Sequence, residues 1–157
     1  MIIKQQIYNA AVYCRLSVED NLAGESGSIS TQRTLITQYC KDKGFNIADY
    51  YVDDGFTGTN FDRPDFERLL NDIDKGKINV VLTKDLSRFG RDYIQAGYFI
   101  EKVFERKNVR YIAVDDNIDT LNSNNDILMP IKNVLNEIVT YRRVNIKSQN
   151  ISSQAIR

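Results

Sequence analysis

Three short stretches of this chain gather hydroxyl and guanidinium groups: Arg15 and Ser17 in "YCRLS", Thr57 and Arg63 in "GFTGTNFDRP", and Ser87, Arg88 and Arg91 in "TKDLSRFGRD". Arginine carries a rigid fork of permanently charged donors that matches phosphate geometry. Stabilising a pentacoordinate phosphorus needs such donors already aimed at it, and a serine among them is a candidate nucleophile. Arg15 lies two residues before Ser17, hence on the same side of an extended strand. The set asks for a phosphodiester. The competing reading is solvated arginines on polar loops, with Ser17 an ordinary turn or cap residue. The chain has no histidine, which excludes Ser-His-Asp and Cys-His pairs and the usual imidazole base. Any nucleophilic hydroxyl here must be activated by arginine, carboxylate or lysine.

These loops can meet only if the strands before them end on one edge of one sheet. Residues 10–16, "AAVYCRL", read as a buried strand, followed by the polar loop "SVEDNLAGESGS". The spacing of Ile29, Leu35, Ile36, Tyr39 and Cys40 predicts a helix from an N-cap at Ser28 to about Lys43, with Gly44 as its stop. A second strand, "FNIADYYVDD", ends in acids, and Pro64 opens a helix through "DFERLLNDIDKG". "INVVLT" has the continuous apolar character of a strand buried on both faces. A helix over "YIQAGYFIEKVFERKN" and a fourth strand, "VRYIAVDD", follow. Strands alternating with helices imply a doubly wound or related α/β sheet, in which ligands bind beyond the carboxyl ends of the strands. After the polar segment "NIDTLNSNND", Ile127, Ile131, Val134, Ile138 and Tyr141 form the seam of a long helix that packs on another surface.

Length and composition fit one soluble domain, or one domain with a short extension. No apolar run approaches the roughly 18 residues of a membrane span, and the N-terminus lacks a secretory signal, so the expected location is the cytoplasm. Cys14 and Cys40 fit apolar core positions, neither a disulfide framework nor a zinc site. With 21 basic and 21 acidic side chains, total charge gives no case for nucleic acid, so any such case rests on local clustering. There is no GxGxxG or Walker pattern. Asp115, Asn117 and Asp119 have calcium-loop spacing, but Thr120 and Asp126 stand where glycine and glutamate are needed.

Taken together, "YCRLS", "SISTQ", "DDGFTGTNFDRP" and "DLSRFGRD" resemble, in order from about residue 12 to 116, the blocks of the serine recombinase catalytic domain, the resolvase and invertase superfamily. The insertion between Ser17 and Gln32 and the "PIKNVLNE" segment are more similar to the large members found in integrating and conjugative transposons. The resemblance implies a three-layer α/β/α resolvase-like sheet, mostly parallel, of four to five strands. The catalytic domain would span residues 1–120 and a long oligomerisation or linker helix 121–157, ending before separate DNA-binding domains. It also implies a metal-free transesterification without cofactor, in which Ser17 attacks a scissile phosphate to form a 5′-phosphoserine. Arg15, Arg88 and Arg91 would hold the phosphate oxygens and Arg63 would assist, with Gln32, Tyr13, Thr57 and Ser87 in support. The implied partners are attachment-site DNA and further copies of the chain, a homodimer that becomes a tetramer in the synaptic complex, and no membrane.

Two departures bear on the site. Ser87 stands where many relatives carry aspartate, which leaves Asp54 and Asp85 as candidate acids or bases. The long helix reads "NEIVTYRRVN" in place of the usual tyrosine-alanine-arginine-acid run, which leaves Glu137, Arg142 and Arg143 as further candidates. Within "TKDLSRFGRD", Lys84 reads as a solvated loop residue and Phe89 as packing inward. Two other functions stay open at this point: a non-catalytic, degenerate oligomerisation module, and a magnesium-dependent phosphotransfer enzyme using Asp53, Asp54 and Asp85. A neutral chain whose base specificity lies elsewhere should bind DNA weakly by itself. An electrophoretic mobility assay of the 157-residue chain should therefore show no shift at nanomolar protein, and a shift would contradict this expectation.

Overall fold

A computed structural model of the chain describes residues 5–22, 28–122 and 141–145. Five strands form one sheet in the order β2-β1-β3-β4-β5. They are β1 (Asn9–Leu16), β2 (Asn46–Asp54), β3 (Val80–Thr83), β4 (Arg110–Ala113) and β5 (Ile118–Asp119), all parallel except β5, which runs antiparallel to β4. The helices are α1 (Val18–Leu22), α2 (Ile29–Lys43), α3 (Pro64–Asp74), α4 (Leu86–Phe89) and α5 (Tyr93–Tyr98), the last continuing into a π-helical segment, Phe99–Phe104. This is the expected mostly parallel α/β/α arrangement. The additions are local: α1 and α4 fall in stretches read as loops, the middle of the expected helix at 93–108 is π-helical, and β5 lies within the segment read as polar.

Local chemistry explains most boundaries. The Ser28 side chain accepts from the Thr31 amide, and Gly44 ends α2 at φ 72°, a left-handed conformation that glycine adopts without strain. Pro64 starts α3, where its missing N–H costs nothing. On one face of the sheet, Ile36 and Cys40 of α2 pack on Ala10, Val12, Cys14, Val80 and Leu82. Both cysteines are free and buried, and burial pushes the Cys14 thiol up to about 12 and Cys40 up to about 11.

The opposite face carries an aromatic core. Phe61 stacks against Phe99, Phe66 and Phe89 with centroids 4.7, 4.9 and 5.2 Å apart, and Phe89 reaches Tyr111 at 4.9 Å. Phe89 is fully buried, as expected. Lys84 corrects its expectation: it is only 17% exposed and pairs with Asp115 at 3.6 Å, because the loop after β3 folds back along the end of β4. The expected seam of the long helix lies outside the described residues apart from Tyr141, which is exposed in the helical segment 141–145.

The close packing fixes Gly90 by approach and not by dihedral angle. Its backbone is extended, but an added Cβ would stand 2.5 Å from Cζ of Phe61. Phe89→Ala should lower the unfolding free energy by about 3–5 kcal/mol, and Gly90→Ala by about 1–3 kcal/mol through overpacking. Urea denaturation followed by circular dichroism measures both.

Candidate active site

The site forms where the chain reverses its direction across the sheet. From β1 it crosses to β2, then returns to β3 on the other side of β1, so the loops after β1 and β3 open a crevice between them. Alternation along β1 sends Ala11 and Tyr13 into the aromatic core, and Arg15 follows in the same series. Arg15 has no exposed surface. Its Nε donates to the Arg88 carbonyl at 3.3 Å, Nη1 to the Phe56 carbonyl at 3.0 Å and Nη2 to the Ser87 carbonyl at 2.8 Å. One guanidinium thereby ties together the loops after β2 and β3. Gln32 of α2 fixes the Arg15 main chain, accepting from its amide at 3.2 Å and donating to its carbonyl at 3.0 Å.

Ser17 opens α1 as its N-cap. The Ser17 hydroxyl accepts from the Asp20 amide at 3.1 Å, and the Asp20 carboxylate takes the Ser17 amide at 3.0 Å, a reciprocal capping box. The hydroxyl also donates to Oδ2 of Asp20 at 2.6 Å. The same carboxylate is the meeting point of the arginines. Arg88 Nη1 lies 3.0 Å and Arg15 Nη1 3.7 Å from Oδ2, and Arg91 Nη2 pairs with Oδ1. Ser17 is 2% exposed and Asp20 4%, with Arg88 equally buried and Arg91 partly open to solvent. Burial by itself would raise the Asp20 carboxyl, but the Ser17 hydroxyl and amide and the Arg88 and Arg91 guanidinium groups bring it down to about 2. Burial, and next Arg63, push Arg15 down to about 10 against the pull of Asp20. Gly58 completes the floor: its carbonyl accepts the Arg91 amide at 2.7 Å, and a Cβ there would meet Arg91 Cγ at 2.8 Å and Arg15 Nη2 at 2.9 Å.

Arg63 belongs to a second buried network. Its Nη1 donates to the Tyr13 hydroxyl at 2.7 Å, its Nε to the Asn60 carbonyl at 2.9 Å, and its guanidinium lies 4.5 Å over the Phe61 ring. The Tyr13 hydroxyl in turn donates to Asp53 at 2.8 Å. Asp53 accepts the amides of Asp65 and Phe66, both at 3.0 Å, and so caps α3 from a neighbouring strand.

The structure brings Arg15, Ser17, Arg88 and Arg91 together, with Gln32 behind them and Tyr13 and Arg63 alongside. The Thr57 hydroxyl is used within its own loop, toward Thr59. Ser87 contributes its carbonyl to Arg15, while its hydroxyl bonds Asp85. Asp85 is the N-cap of α4, Asp54 is exposed at the end of β2, and neither is the carboxylate that holds Ser17. Arg142 and Arg143 are exposed on the 141–145 segment, and Glu137 lies outside the described residues. Sequence reasoning missed Asp20, although "SVED" carries the S-x-x-D capping-box signal. It weighed Asp53 only as a metal ligand.

The resolvase N-terminal domain family model matches residues 10–155. The chain is 30% identical over 112 residues to the transposon Tn917 resolvase of Enterococcus faecalis, covering 71% of this chain and 52% of that protein. It is 31% identical over 105 residues to a putative DNA recombinase of Bacillus subtilis, covering 67% of this chain and 20% of that protein. It thus spans about half the length of the first relative and a fifth of the second. Among solved structures, the N-terminal catalytic domain of TP901-1 integrase superposes with a TM-score of 0.73 at 28% identity, covering 85% of this chain and 97% of the other. A resolvase family site-specific recombinase from Streptococcus pneumoniae gives 0.68 at 25% identity, covering 94% and 95%.

Because the Asp20 carboxyl is depressed in the folded state, the stability it contributes is fully present above its unfolded value near pH 4 and is lost as pH falls through about 2. In chemical denaturation, Asp20→Asn should cost about 2 kcal/mol at neutral pH. The difference from the native chain should shrink between about pH 4 and pH 2.

Proposed function

The chain belongs to the resolvase N-terminal domain family, and from that premise we propose that it is the catalytic domain of a serine site-specific recombinase, breaking and rejoining duplex DNA in transposon or prophage integration and excision. The observation that carries this reading is the setting of Ser17, a hydroxyl on a strand end with Arg15, Arg88 and Arg91 converging on its one carboxylate partner. An anion-seeking cluster beside a hydroxyl suits attack on phosphorus.

In the proposed reaction the Ser17 Oγ–P bond forms as the P–O3′ bond breaks. The serine proton leaves and the departing 3′ oxygen gains one, giving a 5′-phosphoserine and a free 3′ hydroxyl. Attack by a 3′ hydroxyl of the exchanged strand reverses these steps. The ester stores the bond energy of the original diester, so the scheme needs no nucleotide and no metal. Arg88 and Arg91 would take the non-bridging oxygens. Arg15, whose donors are largely spent on main-chain carbonyls, would act by holding the loops and by its charge. Cutting both strands at a site takes one active serine per strand, so the proposed working unit is a homodimer that pairs into a tetramer on attachment-site DNA, in the cytoplasm. A protein larger than this domain would supply site recognition.

Incubated in EDTA with a suicide substrate carrying its cognate site, at micromolar protein, well above the nanomolar range in which the chain alone should give no shift, the native protein should form a covalent protein–DNA adduct. Ser17→Ala should form none, and Arg88→Ala should slow formation by roughly 100- to 1000-fold. An adduct with Ser17→Ala would disprove the nucleophile, and loss of the native adduct in EDTA would favour the magnesium-dependent reading.

A further inference from the structure

The Asp20 carboxylate sits where the proposed reaction needs a phosphate. Its two oxygens receive the Ser17 hydroxyl and amide, Arg88 and Arg91, with Arg15 at 3.7 Å. That donor set of an amide, a hydroxyl and converging guanidinium groups is the kind that binds an oxyanion. Resting on the phosphodiester reading above, we propose that Asp20 is a positioning residue. Its carboxylate occupies the phosphate seat while no DNA is bound, keeps the cluster assembled, and gives way when a phosphodiester enters.

Three further observations support the exchange. The first is charge. Three guanidinium groups converge on the Asp20 carboxylate, so loss of its charge would leave the positive charge of the pocket less offset, whereas a phosphodiester restores the lost negative charge. The second is attachment. Of the α1 side chains described, Val18 is 62% exposed and Glu19 is exposed, and only Asp20 is buried. Among the described side chains of α1, the carboxylate is therefore the one that anchors it to the sheet edge. The third is the state of the nucleophile. Its hydroxyl both accepts from the Asp20 amide and donates to the Asp20 carboxylate, so it is committed to its own helix cap until that box opens. Entry of phosphate would thus free the serine and vacate the cap together, which links substrate arrival to readiness of Ser17.

Asp20→Asn is the sharp variant, because asparagine keeps one acceptor oxygen for the Ser17 amide and hydroxyl while it removes the charge and puts an NH2 donor in place of the oxygen that faces Arg91. With inorganic phosphate as probe, calorimetry should give at least tenfold tighter binding to Asp20→Asn than to the native chain, and the double variant with Arg88→Ala should lose that gain. Glu19→Gln removes the same charge from the surface and should change affinity less than threefold. In the native chain, saturating phosphate should move the Ser17 amide resonance along with the Arg88 guanidinium resonances. The proposal is overturned if Asp20→Asn binds phosphate no better than the native chain while Arg88→Ala weakens both, a result that leaves the phosphate seat standing. It is also overturned if phosphate moves the Arg88 resonances and leaves the Ser17 amide in place. If Arg88→Ala alters phosphate binding in neither background, the phosphate seat itself falls and the exchange falls with it. Asp20→Ser, read in the same way, covers the case in which Asp20→Asn fails to fold.

Discussion

A guanidinium shut away from water must find acceptors for its donors, and at Arg15 that requirement shapes the whole carboxyl edge of the sheet. Its acceptors are the carbonyls of Phe56, Ser87 and Arg88, drawn from two loops distant in sequence. Neutral carbonyls satisfy hydrogen bonds without cancelling charge. The site therefore keeps a positive interior, which the Asp20 carboxylate helps to offset. The clamp of Gln32 on the Arg15 main chain holds the strand end in place. Removing Asp20 would leave the three carbonyl bonds of Arg15 in place but its charge less offset.

The second network translates helix placement into site placement. Asp53 closes the amino end of α3 and receives the Tyr13 hydroxyl, which receives Arg63. Arg63 in turn lies on Phe61, whose ring packs against Phe89 of α4. A chain of polar and aromatic contacts thus runs from the cap of α3 to the short helix that carries Arg88. Burial holds the Tyr13 phenol above its ordinary value, so it serves as a neutral relay of geometry and not as an acid.

Features set by local chemistry were legible in the sequence. The Ser28 cap, the Gly44 stop and the Pro64 start each depend on one side chain, and all three stand where expected. The strand alternation and the convergence of Arg15, Ser17, Arg88 and Arg91 were legible too, because strand ends on one edge must meet at a reversal of strand order. The short helices were not. Hydrophobic periodicity is read over windows of roughly 11–18 residues, and α1 and α4 have five and four. Between the acids Asp53 and Asp54, strand parity held the answer: Asp53 shares the inward series of the buried Tyr51, and Asp54 does not. Asp20 was hidden for a different reason. A capping signal describes only how a helix begins, and nothing in "SVED" says that arginines 68 and 71 residues later will arrive at its acid.

The burial of these charges separates two responses to ionic strength. Mobile ions screen exposed charges over about 8–10 Å under ordinary conditions, and buried pairs much less. Arg15 and Arg88 are almost wholly enclosed, whereas Arg91 and Glu19 face the solvent. Added salt can therefore loosen the outer rim of the cluster while its inner half keeps its field. Whatever grip on a polyanion depends on surface cations will weaken as counter-ions accumulate, but the electrostatics at the Ser17 oxygen will not follow in proportion. In the proposed reaction, a domain built in this way would tolerate variation in its ionic surroundings at the chemical step and remain sensitive to it at the step of docking.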